Sequence, residues 1–147
     1  MIKKDSSKVT GMVNVVVRDD AGKIKQEFTV PNLVVDTGLA FIASRMKDTT
    51  DDAMSHMAVG TDNTAASAAD TTLGTELARQ ALASSTVTSN SIAYVATFAA
   101  GTGTGALTEA GLFNDPTTGT MLCRTVFAVI NKGAADSMTV TWTVTIS

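Results

Sequence analysis

The stretch from Leu107 to Ile130 reads LTEAGLFNDPTTGTMLCRTVFAVI and decides the fold. Its two apolar runs are rich in Leu, Phe, Val and Ile, which strands prefer. Between the runs lies a turn sequence, Asn114 to Gly119, in which Pro116 fixes φ and Gly119 accepts the positive φ that closes a turn. Because apolar residues fall on both faces of the runs, we predict a largely buried β-hairpin at the core of a β-sandwich.

The last segment has the cleanest alternating pattern of the chain. One face carries Met138, Val140, Trp142, Val144 and Ile146, and the other carries Thr139, Thr141, Thr143 and Thr145. The first set predicts a core face. The threonine set suits solvent, and it also suits a protein interface, because interface centres are depleted of charge.

Working back toward the N-terminus, further short runs predict strands separated by turns. Residues 9–30 read as a hairpin around an Asp-Gly turn, with Val13, Val15 and Val17 on its apolar face and Pro31 at its end. Met54 to Val59, Arg79 to Thr88 and an alternating run at 92–98 also read as strands, with a turn or short helix near Leu73 and a surface loop at 61–72. Such a series is typical of an antiparallel sandwich or barrel, and we favour a jelly-roll-like β-sandwich domain over residues 9–147, after a polar arm at 1–8.

One segment has helical rather than strand character. Asp36 or Thr37 can cap a helix that runs from about Gly38 to Lys47. Apolar residues recur there at spacings of three and four, which predicts a core-facing stripe formed by Leu39, Ile42, Ala43 and Met46.

The composition favours a surface made for packing. Hydrophobic residues make up 44% of the 147-residue chain and charged residues only 17%, against roughly 25% in an average soluble domain. A large uncharged surface suits contact with other subunits, although a β-rich monomer has a similar composition. The net charge of −3 argues against nucleic-acid binding, and the basic cluster of Lys3, Lys4 and Lys8 lies in the arm, where a solvated tail is the ordinary interpretation. With neither an apolar signal-peptide region nor a stretch of about 20 apolar residues, we expect a cytoplasmic product that does not enter a membrane.

No motif in the sequence indicates catalysis or a cofactor. Cys123 lies alone in an apolar run, which predicts a buried, inert thiol, and a single His56 cannot complete a zinc site with it. The glycine-rich run at 101–105 lacks the lysine of a phosphate-binding loop, so we interpret it as a connection. Four aspartates could approach a calcium ion, but their spacing is that of polar loops: Asp51, Asp52, Asp62 and Asp70.

Three charges beside apolar runs remain to be explained: Glu76, Arg79 and Glu109. An arginine held between two carboxylates is typical of a structural ion pair or an interface contact. Nucleophilic catalysis would need a base beside the nucleophile, and aromatic walls for a sugar cleft are scarce at 5% aromatic residues. We therefore expect no enzyme activity.

Two blocks of the sequence resemble a known family. The first is Met57 to Gly60 followed by a loop and then Leu73, Glu76, Arg79 and Ala81-Leu82; the second is Glu109 to Asp115 with its glycine-containing turn. This order resembles the N-terminal (tail-collar) domain of tail-fibre proteins of contractile-tailed bacteriophages. The ending GTML-RTVF, NKG, TWTV is similar to small stand-alone virion proteins of tailed phages.

The resemblance implies a structural virion protein without catalytic residues. We expect this chain to differ from a complete tail fibre, because no shaft or receptor-binding tip follows the shared region in this sequence and the hairpin at 9–30 precedes it. Three roles stay open: a baseplate adaptor, a collar or neck component, or a capsid decoration (cement) protein. We expect it in the virion, bound to capsid, neck or baseplate proteins and as a homo-oligomer, with contacts through Lys3, Lys4, Lys8 and the threonines of residues 139–145.

A carbohydrate- or receptor-binding sandwich is the alternative function. It is weakened by the scarcity of exposed aromatic rings, because Tyr94 and Trp142 both fall on apolar strand faces.

Overall fold

The computed structural model describes residues 6–47 and 51–147 and contains ten strands and one helix in that part of the chain. In chain order these elements are β1 (Val9–Arg18), β2 (Ile24–Pro31), β3 (Leu33–Val34), α1 (Asp36–Arg45), β4 (His56–Gly60), β5 (Glu76–Ala81), β6 (Ser84–Thr88), β7 (Ser91–Phe98), β8 (Gly105–Phe113), β9 (Met121–Lys132) and β10 (Ser137–Ile146). All pairings between strands are antiparallel, so the predicted antiparallel β-sandwich is confirmed. In the described residues, no helix is long and apolar enough to cross a membrane.

The strands form two five-stranded sheets that face each other across the core. The front sheet has the order β2-β1-β10-β7-β6, and the back sheet has the order β3-β9-β8-β4-β5. Trp142 and Phe98 enter the core from the front sheet, Leu107 and Leu112 enter it from the back sheet, and all four are fully buried. The chain crosses between the sheets at both lateral edges, from β2 to β3 and from β5 to β6. It also crosses from β7 to β8 and from β9 to β10.

The predicted hairpin of Leu107 to Ile130 is confirmed at the centre of the back sheet. Strands β8 and β9 pair along almost their whole length, with bulges beside Glu109 and Phe113. Their turn is closed by one carboxylate, because Asp115 accepts hydrogen bonds from the backbone N–H groups of Thr117 and Thr118, both at 2.9 Å. These bonds, chiefly the one from Thr118, lower the pKa of Asp115 to about 2.

The single strand predicted from Arg79 to Thr88 is wrong. Of the turn or short helix predicted near Leu73, the helix is absent. The segment divides into β5 in the back sheet and β6 in the front sheet, and residues around Leu73 are bends. The division occurs where the backbone changes partner: the N–H of Leu82 donates to Ser55, whereas the N–H of Ala83 donates to Val95. Alternating apolar residues do not reveal such a corner, since the pattern continues through it.

The helix predicted near residues 38–47 is present, but its predicted cap and core face are wrong. It begins at Asp36, and its N-cap residue is Val35, which has no polar side chain to accept a bond. The Thr37 hydroxyl donates to the carbonyl of Met121. Its buried residues are Gly38 and Phe41, whereas three of the four predicted core residues are exposed: Leu39, Ala43 and Met46. The helix turns its glycine inward because the backbone there lies directly against Leu122, where a Cβ would come within 2.0 Å of the Leu122 carbonyl oxygen.

This contact makes a prediction that opposes ordinary helix propensity. Within a helix, Gly→Ala usually stabilises by about 0.5–1 kcal/mol. Gly38→Ala is expected to destabilise the protein by about 1–3 kcal/mol, because the new methyl group must push α1 away from β9. Urea unfolding compares it with Leu39→Ala, an exposed neighbour expected to change little. A more stable Gly38→Ala variant would contradict this packing.

Candidate functional site

The outer face of the back sheet is covered by residues 61–75, here called the capping loop. Leu73 of this loop packs against a small apolar cluster formed by Val35, Ala58, Phe113 and Met121, all of which are buried. The back sheet is therefore apolar on both sides, toward the core and toward the loop. This explains why the hairpin sequence has apolar residues on both faces.

The capping loop is fastened to the sheet by a buried carboxylate. Glu109 on β8 is fully buried, and its carboxylate accepts hydrogen bonds from the backbone N–H groups of Gly74 at 2.9 Å and Thr75 at 2.8 Å. A longer bond of 3.3 Å comes from the N–H of Asp62. The negative charge is balanced by Arg124 on β9, whose Nε and Nη2 donate to Glu109 Oε2 at 3.1 and 2.9 Å.

Arg124 also holds the acidic residues of the loop. Its Nη1 donates to Asp70 at 3.0 Å, and its Nη2 lies 3.9 Å from Asp62. Two of the four aspartates considered for calcium, Asp62 and Asp70, thus lie beside a guanidinium group, at the edge of a cleft of about 350 Å³. Asp51 and Asp52 lie elsewhere, where their carbonyls accept from Arg45 and Asn114. In residues 6–47 and 51–147, no group of three or more His, Cys, Asp or Glu side chains is placed to hold a metal ion.

Two glycines allow the loop to approach this closely. A Cβ on Gly60 would lie 2.3 Å from the carbonyl oxygen of Thr75, and a Cβ on Gly74 would lie 1.7 Å from Asp62 Oδ2. Neither position has room for a side chain. The fastening of the loop therefore depends on small residues in β4 and in the loop as well as on the ion pair.

Arg79 has a separate structural role and does not meet Glu109. It binds Glu76 through two hydrogen bonds of 3.0 and 2.6 Å, and its guanidinium lies 3.8 Å from the centre of the Phe113 ring. It also donates to the carbonyls of Asp115 and Thr118, which stabilises the turn of the central hairpin. The structural ion pair considered for these charges is present between Arg79 and Glu76, whereas Glu109 pairs with a different arginine, Arg124.

The outer face of the front sheet, in contrast, is open. We call it the threonine face, because the four predicted threonines of β10 lie along its centre and are half-buried by their neighbours. The register places uncharged residues of β1, β7 and β6 on either side of them: Thr10, Met12, Asn14, Val16, Ser91, Ala93, Val95, Thr97, Ser84, Thr86 and Thr88. Charges on this face begin at its β1–β2 margin, with Arg18 and Glu27.

Some of the hydroxyl groups of this face bond to one another. Ser91 and Thr145 are 2.8 Å apart, Thr97 and Thr139 are 3.3 Å apart, and the Asn14 amide donates to Thr29 at 3.1 Å. Polar groups that already have partners lose little when water is removed from them. The threonine face is therefore uncharged, and those of its hydroxyls that have partners cost little to desolvate; both are properties of a contact surface.

The structure describes the predicted arm from Ser6 onward. Lys3 and Lys4 lie outside the described residues. Lys8 has an exposed side chain, but its backbone exchanges hydrogen bonds of 2.6 and 2.8 Å with Ser147. Lys8 therefore continues the β1–β10 ladder, and its structure is that of the sheet.

Among the described residues, those considered for catalysis or ligand binding are buried or lack the partners that such a role requires. Cys123 is fully buried, and burial raises the pKa of its thiol, so it stays protonated at physiological pH. The Ser55 hydroxyl and His56 Nδ1 are 2.8 Å apart, but within the described part no carboxylate is hydrogen-bonded to this imidazole. Trp142 is fully buried and Tyr94 is 7% exposed, as their strand positions predicted.

No family model, curated protein or solved structure matches the chain. The functional assignment therefore depends on the residues and surfaces described above. The side chain that sequence reasoning missed is Arg124, although one signal was present: it is the one charge within the otherwise uncharged run Met121 to Ile130. A charge in such a run requires a buried partner.

The buried ion pair can be tested by removing one charge without changing shape. Glu109→Gln removes the fully buried carboxylate that pairs with Arg124 and leaves the guanidinium with the partly exposed carboxylates of Asp70 and Asp62. It is expected to destabilise the protein by about 3 kcal/mol, the lower end of the range for a broken buried pair. Urea unfolding measures the effect against Glu27→Gln, an exposed control expected to change stability by less than about 0.5 kcal/mol. Equal stability of the two variants would contradict the fastening role of Glu109.

Proposed function

We propose that this chain is a structural protein of a tailed-bacteriophage virion that binds other virion subunits through the threonine face. The observation that carries the proposal is the asymmetry of the two sheets. The back sheet is closed by its own capping loop, whereas the front sheet presents an uncharged face with no described segment over it. The family resemblance of the two sequence blocks supports the same class of function.

The size of the face is adequate for a specific contact. Five strands spaced by about 4.8 Å, with roughly eight residues of about 3.3 Å each, give a face of roughly 600 Å². A standard protein interface buries about 800 Å² on each partner, so the face and its margins supply most of such an area. Its rows of Thr, Ser, Ala and Val lack the charges that interface centres avoid.

Two locations in the virion fit this proposal: a tail, baseplate or collar component that attaches a fibre, and a capsid decoration (cement) protein. The fibre-like blocks favour the tail, whereas a broad uncharged face serves equally well to cover a shell. A carbohydrate-binding function has less support, because every phenylalanine, tyrosine and tryptophan is buried or half-buried. Sugar-binding sites usually require an exposed ring for stacking.

One charge at the centre of the face tests the proposal. In the free protein, the lysine of Thr141→Lys can extend into solvent. In the assembled particle it would place an unpaired charge inside the contact, so incorporation into particles should fall by about tenfold or more. Quantitative mass spectrometry of purified particles measures the copies per virion. The matched control is Thr72→Lys, on the capping loop at the opposite side of the molecule, which should be incorporated like the unmodified chain.

The same measurement separates the two locations, since a cement protein is present in many more copies than a tail component. Absence of the unmodified chain from purified particles would overturn the virion assignment. Equal incorporation of Thr141→Lys and Thr72→Lys would show that the threonine face does not make the contact with other virion subunits.

A further inference from the structure

Strand β6 forms an open edge of the front sheet that lacks the usual protection against pairing. Its five residues, Ser84–Thr88, are all exposed and include neither a charge nor a proline. The other edges are protected in known ways: β2 carries Lys25 and Glu27 and ends at Pro31, β3 is two residues long, and β5 carries Glu76 and Arg79.

The outward backbone groups of β6 can be identified from its hairpin. The two-residue turn Ser89-Asn90 makes Thr88 and Ser91 the hydrogen-bonded pair that closes the hairpin. Counting back from Thr88, every second residue of β6 bonds to β7 through its backbone. The backbone N–H and C=O groups of Ser84 and Thr86 therefore point toward β7. Those of Ser85 and Val87 point away from the sheet. Across residues 6–47 and 51–147, no described hydrogen bond uses these outward groups.

We propose that a second copy of this chain pairs with this edge, β6 against β6, in an antiparallel arrangement about a twofold axis at Thr86. In this register Ser85 lies opposite the partner's Val87, and Val87 lies opposite the partner's Ser85. These are the residues whose backbone groups point outward, so the register forms about four hydrogen bonds between the copies. The two front sheets become one continuous sheet, and the two threonine faces lie side by side.

A second copy fits this edge better than a charged partner would. An uncharged strand meets itself without like charges opposite each other, and a Thr–Thr cross-strand pair is favourable. The pairing also covers part of Val87, which is 70% exposed at the rim of an apolar pocket formed with Phe41, Ile92 and Val144. The association is a property of the purified protein and does not depend on the virion role.

Disulfide trapping tests the register directly. In the proposed pair, the two copies of residue 86 face each other as a pair without hydrogen bonds, with Cα atoms about 4.5 Å apart, a separation that a disulfide can span. Thr86→Cys should therefore form a covalent dimer under mild oxidation about tenfold faster than Thr88→Cys. Residue 88 is the matched control, because the two copies of it would be roughly 13 Å apart. The native Cys123 is fully buried and common to both variants.

A second variant tests the backbone pairing without a new thiol. Ser85→Pro removes an outward N–H and leaves the bonds to β7 in place, so it should weaken self-association by about tenfold in sedimentation experiments. Ser85→Ala keeps the N–H and should associate like the unmodified chain; circular dichroism verifies that both variants are folded. Cross-linking of Thr86→Cys no faster than that of Thr88→Cys, or a monomeric unmodified chain at high protein concentration, would overturn the proposal.

Discussion

The buried pair of Glu109 and Arg124 is the interaction on which the rest of the structure depends. A carboxylate with no access to water is tolerable only when its charge is balanced and its oxygens are hydrogen-bonded. Glu109 meets both conditions by taking Arg124 from the neighbouring strand and the backbone N–H groups of Gly74 and Thr75 from the capping loop. Detaching the loop would therefore break the backbone bonds to Glu109 and the bond between Arg124 and Asp70.

The difference between the covered back sheet and the open front sheet follows from that constraint. The capping loop closes the back sheet, so the central hairpin serves as scaffold, and the front sheet is left with an open face and an open edge. The open face carries uncharged side chains, and hydroxyls on two of its cross-strand pairs, Ser91 with Thr145 and Thr97 with Thr139, bond to each other. The proposed contacts with virion subunits and with a second copy use different parts of this one sheet, the face and the β6 edge.

Patterns with a local cause were predictable from the sequence. The period of two in β10, the Pro/Gly turn of the central hairpin and the burial of Cys123 follow from neighbouring residues alone. The partner of Glu109 was not predictable in the same way, because Arg124 approaches it only after β8 and β9 pair, and the corner near Leu82 interrupts no local pattern. The buried face of the helix was predicted wrongly because the spacing of hydrophobic residues carries no information about the close contact between Gly38 and Leu122.

Methionine oxidation provides the most direct measurement of the central claim, that assembly uses the threonine face. Met12 lies on that face and is 49% exposed, and Met46 lies directly after α1 and is 88% exposed, so hydroxyl radicals reach both in the isolated protein. Mass spectrometry can compare their oxidation in the isolated protein and in purified particles, with Met46 as the internal measure of radical access. We predict that Met12 becomes protected in particles relative to Met46. Oxidation of Met12 in particles at the rate of the isolated protein would contradict the claim.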